Sequence, residues 1–126
     1  MSHEINITNL SRPQAQPIRA RYCDSFLCRL RGLTFRRSLP TRTGLLLVES
    51  RDNRLDASIH MLFMWMDLAV VWIDSSLRVV DVKLAHCWKV AYLPQAPARY
   101  VLELPVDCQS DFTVGDLLKF EKRNVV

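Results

Sequence analysis

Six consecutive apolar residues, Leu68-Ala69-Val70-Val71-Trp72-Ile73, constrain this chain more than any other feature. A strand with one wet face alternates apolar and polar side chains, whereas an unbroken apolar strand needs cover on both faces. Asp74-Ser75-Ser76 can form a turn, and Val80, Val82 and Leu84 then alternate with Asp81 and Lys83. The pattern predicts a hairpin whose first strand is interior. Material must therefore lie on both sides of a sheet. A chain of 126 residues with 49% hydrophobic content can supply it within one domain.

The remaining elements are short. Residues 1–16 are polar, carry Pro13 and precede Pro17, and read as a loosely held leader to a single globular domain over residues 17–126. Ile18 to Cys23 alternates as a first strand, and Asp24 or Ser25 can cap a helix from Phe26 to Arg31 that turns Phe26, Leu27 and Leu30 inward before ending at Gly32. Leu45 to Val48 suits a short strand, and Glu49 to Asp56 a polar surface loop. Tyr100, Leu102 and Leu104 alternate with Arg99 and Glu103, and Val114-Gly115-Asp116 turns the chain into a last strand from Leu117 to Glu121. The expected class is α+β, mainly β: a small, partly closed, antiparallel-rich β-barrel with one or two short helices. Closure hides the edges that so many strand formers would otherwise expose.

No apolar run approaches the roughly 18 residues of a membrane helix, and the N-terminus lacks a signal core, so a cytoplasmic location is expected. Cys23, Cys28, Cys87 and Cys108 include no Cys-x-x-Cys pair. Free thiols are expected, with a bridge from Cys23 to Cys108 or Cys87 as the alternative. Eight arginines stand against one acid, Asp24, between Arg12 and Arg42. Arginine grips carboxylates and phosphates in a planar fork, so this third of the chain is a candidate anion surface.

Three blocks read together resemble a known family. Arg31-Gly32-Leu33 and Leu39-Pro40 lead to Gly44-Leu45-Leu46-Leu47; Ser58-Ile59-His60 and Phe63-Met64 form the centre; Ala98 to Pro105 and Val114-Gly115-Asp116 close the pattern. From about Ala20 to Phe120 the chain is similar to domain-of-unknown-function family 192, whose members are small and mostly β. The resemblance implies the architecture and brings no established activity. It also implies an aspartate five residues beyond Met64, where this chain has Ala69; Asp67 is the candidate replacement.

His60, with Met61, Met64 and Met66 nearby, has the soft donors of a Cu(I) site, but core packing accounts for the methionines and no metal or cofactor is expected. His60 and Asp67 form a candidate polar pair, in a concave barrel end also lined by Trp65, Trp88 and Arg99, with Arg31 and Arg99 as anion contacts. No Gly-x-Ser-x-Gly, His-Glu-x-x-His or phosphate-binding glycine loop is present. The expected role is a non-enzymatic module that binds a small polar or anionic ligand or a protein. A hydrolase-like enzyme using His60 and a nearby carboxylate is the alternative. Nucleic acid, held through the arginine-rich third, is the other; it calls for exposed aromatics, and Trp88 and Tyr92 are the best candidates.

Overall fold

A computed structural model describes residues 3–123. Its strands are β1 (His3–Asn9), β2 (Ile18–Cys23), β3 (Thr43–Asn53), β4 (Leu68–Ile73), β5 (Val79–Ala85), β6 (Ala98–Leu104) and β7 (Leu118–Lys122), with one helix, α1 (Phe26–Arg31), and a 3-10 turn at Val106–Asp111. They form one curled sheet in the order β5-β4-β6-β3-β2-β1-β7, antiparallel except where β2 runs beside β3. This is the mainly β, partly closed α+β architecture that the patterning predicts.

The curl brings the two ends of the sheet together. The Leu118 amide donates to the Leu77 carbonyl at 2.9 Å, Val79 to Asp116 at 2.9 Å, and Gly115 to Val79 at 2.8 Å. Asp116 locks this seam, because its Oδ2 accepts from Asn9 Nδ2 (2.8 Å), the Thr113 amide (2.9 Å) and Arg12 Nε (3.1 Å). Burial alone would raise its pKa, but those three donors outweigh it and hold the carboxyl below its usual range.

Both faces of the central strands are covered. Ala69, Val71 and Ile73 of β4 face the inside of the curl with Leu46, Leu102 and Leu104, whereas Leu68, Val70 and Trp72 face outward with Leu45, Leu47 and Val101. That outer layer is roofed by irregular chain. Met61, Met64 and Tyr92 pack onto it, and the Trp72 indole donates to the Ala57 carbonyl at 2.7 Å. Gly44 lies where β3 passes β6 so closely that a Cβ would sit 2.5 Å from the Glu103 carbonyl oxygen.

Several sequence expectations need correction. The supposed leader contains β1, whose Ile5 and Ile7 are buried between β2 and β7. Its Glu4-Ile5-Asn6-Ile7 alternation is a strand signal, masked in the sequence by the polar, proline-bearing stretch that follows. β3 runs on to Asn53, through the expected loop. Ser25 caps α1, its side chain accepting from the Cys28 amide at 3.1 Å. Yet Phe26, Leu27 and Leu30 are exposed, and the helix buries no residue. Cys23 and Cys28 form a disulfide, because β2 turns into α1 within five residues; Cys87 and Cys108 are free. No described helix is long and apolar enough to cross a membrane.

Asp116→Ala should lower stability by about 2–3 kcal/mol, since it strands buried donors that now meet a charged acceptor. The contribution is present above the ordinary carboxylate range and is lost as pH falls through the depressed pKa. Urea denaturation of wild type and variant should converge in acid and separate at neutral pH.

Candidate functional site

Alternation along β6 sends Tyr100, Leu102 and Leu104 inward and Val101 and Glu103 outward. On an open sheet Glu103 would meet water. Here the irregular roof covers it, leaving it 4% exposed in the wall of a cavity of about 360 Å³ between α1, β3, β6 and the segment from Asp56 to Met64. Its Oε1 has no hydrogen-bond partner among the described residues. The carboxyl lies beside Gly32, where an added Cβ would come within 3.7 Å of Oε1. Burial pushes its pKa up to about 7.

The rest of the cavity mixes charge with apolar wall. Arg29, on α1, reaches Glu49 Oε1 at 3.5 Å and donates to the Val48 carbonyl at 3.1 Å. Glu49 is itself raised in pKa, first by burial and secondarily by Asp56, with Arg29 opposing. The exposed residues His60, Ser58 and Arg31 also line it, and Leu47, Ile59, Met64 and Val101 supply apolar surface. The site therefore offers an acid that can give or take a proton near neutral pH, a cation, and an apolar wall.

The sequence candidates fall in four places. His60 and Arg31 line this cavity. Asp67 does not line it: its Oδ1 accepts from the Cys87 amide at 2.8 Å, and Oδ2 lies 3.4 Å from His86 Nδ1. The Cys87 amide is the main reason its pKa is lowered. The carboxylate expected to serve His60 is thus engaged by His86 and Cys87 instead. Trp65 and Trp88 meet edge to face at 5.7 Å in an exposed aromatic group outside the cavity. Arg99 donates to the Glu49 carbonyl at 3.0 Å and lies over the Tyr100 ring. Met61 and Met64 are both buried in the outer core, since residues 58–64 form only an isolated bridge, Ile59 to Tyr92, and strand alternation does not apply. Among the described residues no group of three or more His, Cys, Asp or Glu is placed to hold a metal ion. Glu103 itself was missed as a site residue, because its alternation with Leu102 and Leu104 looks like an ordinary solvent face.

The model of the DUF192 family, described as an uncharacterized ACR, matches residues 7–120. A UPF0127 protein of Thermococcus gammatolerans is 43% identical over 100 residues, covering 78% of this chain and 63% of that protein. The chain thus spans under two-thirds of that relative's length. A UPF0127 protein of Thermococcus kodakarensis is 38% identical over 116 residues, covering 90% of this chain and 72% of the relative. A crystal structure from Sinorhizobium meliloti 1021, of a proposed transcription regulator, superposes with a TM-score of 0.81 at 18% identity, covering 95% of this chain and 94% of that one. At such identity the likeness speaks for the fold alone.

Two outcomes follow from the site. Glu103 keeps its proton between pH 4.5 and about 7, where the unfolded chain has lost it, so stability is greatest below that interval and declines as pH rises through it. The gap corresponds to about 3 kcal/mol above neutral pH. Glu103→Gln should flatten this decline and melt higher than wild type in mildly alkaline buffer; an unchanged profile would mean the carboxyl is solvated. Secondly, α1 buries no residue and is tied at one end by the disulfide. Reduction should speed amide exchange across residues 26–31 while leaving β4 and β6 protected.

Proposed function

Given that the chain belongs to the DUF192 family, we propose that it is a binding module for a small polar ligand, held in the cavity walled by Glu103. The single observation that carries this reading is Glu103, which lines a cavity large enough for a small molecule and whose buried Oε1 lacks a partner among the described residues. A buried carboxyl without a donor costs free energy, and a ligand amine or hydroxyl would supply the missing hydrogen bond. Arg29, Arg31 and His60 complement a negative or acceptor group at the other end of the ligand. Leu47, Ile59 and Val101 would take its apolar body.

An enzymatic reading has one specific observation in its favour: a carboxyl titrating near 7 is suited to general acid–base work. No paired nucleophile stands in the cavity among the described residues. Ser58 donates its hydroxyl to the Leu55 carbonyl at 2.7 Å, a turn contact. Binding without turnover is therefore the reading the geometry favours.

Native mass spectrometry of gently purified protein should show a small co-purifying mass, or thermal shift against primary amines and polyols should find one. Glu103→Leu should weaken that ligand at least tenfold, the effect of leaving its polar group unpaired, while Asp67→Ala leaves it bound. A bare chain with no shift from any compound sinks the proposal. Conversion of the ligand that stops in Glu103→Gln would move the assignment to the enzyme.

A further inference from the structure

The face beside this cavity carries a second set of features that ligand binding at Glu103 does not use. Phe35, Phe63, Trp65 and Trp88 are 66%, 50%, 52% and 46% exposed, yet they form one group. Phe35 lies 5.6 Å from Phe63 between ring centres, Phe63 5.4 Å from Trp88, and Trp88 5.7 Å from Trp65. The Arg37 guanidinium stands 6.0 Å over the Trp65 ring. Four large rings held out in water are not a packing accident that the core explains, because Trp72 shows that this chain can bury an indole completely.

The backbone supports the display. Phe35, Phe63 and Trp88 all have positive φ, at 66°, 62° and 68°. Bulky residues seldom adopt that region, and its strain persists only where surrounding structure enforces it. Here hydrogen bonds enforce it: the Phe35 amide donates to the Phe63 carbonyl at 2.9 Å, Trp88 to Met61 at 2.7 Å, and Met61 to Lys89 at 3.0 Å. Backbone hydrogen bonds thus lace three loops into one platform beneath the rings.

Next to the rings the charge is positive. Arg36, between Phe35 and Arg37, also lines a cleft of about 640 Å³ with Arg19, Arg21, Lys122 and Arg123. Glu4 is the one acid in its wall and lies 3.3 Å from Arg19. Arg21, Arg36, Lys122 and Arg123 make no ion pair among the described residues. At the other margin of the rings, Asp67 is taken up by Cys87 and His86.

From these observations we propose that the aromatic group and the adjoining basic cleft form a binding surface for single-stranded nucleic acid. Unstacked bases lie on the rings of Phe35, Phe63, Trp65 and Trp88, and the phosphate chain runs from Arg37 through Arg36 into the cleft. Stacking needs bases whose faces are open, which a duplex does not offer. A protein partner would also use tryptophan and arginine, but a cleft walled by five cations and one acid complements a continuous polyanion better than a mixed protein surface. The platform expected on a strand face is built from loops instead. Tyr92, a sequence candidate for stacking, is buried and takes no part.

The test is anisotropy of a fluorescein-labelled oligothymidylate at low salt, with tryptophan emission followed in parallel. Binding should quench Trp65 and Trp88, and Trp65→Ala or Trp88→Ala should each weaken it about tenfold, the usual effect of removing one stacking ring. Removing Arg36 and Arg37 together should reduce the salt slope by roughly 1.4. All these side chains are exposed, so the variants should melt as wild type does. Glu103→Gln should leave the oligonucleotide affinity unchanged, which separates this surface from the cavity. Failure to bind at low salt overturns the proposal. So does equal affinity for duplex DNA, or aromatic variants that bind undiminished, since either would leave only a non-specific basic patch.

Discussion

β6 is paired on both edges, to β4 and β3, and covered on both faces, and most of the structure follows from that double demand. Its inward residues are satisfied when the sheet curls, so β1 and β7 must be brought round to meet the β4–β5 hairpin. Its outward residues cannot be covered by more sheet, because the strands are already spent on the curl. The roof is therefore irregular chain from Arg54 to Asp67 and from His86 to Pro97, with only α1 as regular structure nearby.

An irregular roof has physical consequences. Its backbone groups lack a ladder, so they are satisfied by scattered contacts such as Ile59 with Tyr92 and Trp88 with Met61. Its packing is uneven, which leaves space over Glu103 and pushes aromatic side chains outward. Positive φ at Phe35, Phe63 and Trp88 marks the places where the route of the chain overrides local preference. The barrel interior, by contrast, is packed mainly with Ile, Leu and Val, joined by Ala20, Ala69, Tyr100, Cys108 and Phe112. Regular packing thus lies inside the curl, and the candidate chemistry lies on the outer face, where a second buried core sits under the irregular roof.

That division explains what the sequence discloses. Leu68 to Ile73 needs two covered faces, and the structure buries all six residues. The hairpin and the limits of α1 are local patterns with local causes, and both are legible. The orientation of α1 is not, because three apolar residues on a short helix look like a buried stripe whether or not a partner exists. Ile5 and Ile7 were readable as a strand, but nothing local says that the barrel needs them between β2 and β7. Trp88 could be picked out as exposed from the loop-like composition around it, but Tyr92, picked with it, is buried, and the exposure of Trp65 was not legible; the meeting of the two indoles with Phe35 and Phe63 depends on three loops far apart in sequence. Glu103 shows the limit most clearly. Alternation places it on the face opposite Leu102 and Leu104, and only the tertiary roof turns that face from wet to buried.

Of the three acids buried among the described residues, Asp81, Glu103 and Asp116, the last two are treated in opposite ways, and the contrast bears on function. Asp116 receives three donors, its pKa is held down, and it closes the barrel seam. Glu103 has an orphan oxygen, its pKa is pushed up to about 7, and Arg29, the cation in the same wall, engages Glu49 and backbone carbonyls. A carboxyl left so is no help to folding above neutral pH, where an amide or an apolar side chain would fill the same position at lower cost. Gly32, without a side chain to cover Oε1, keeps the wall beside it thin. The fold shows at Asp116 that it can satisfy a buried acid completely. At Glu103 no donor among the described residues reaches Oε1, and burial is what raises the carboxyl's pKa.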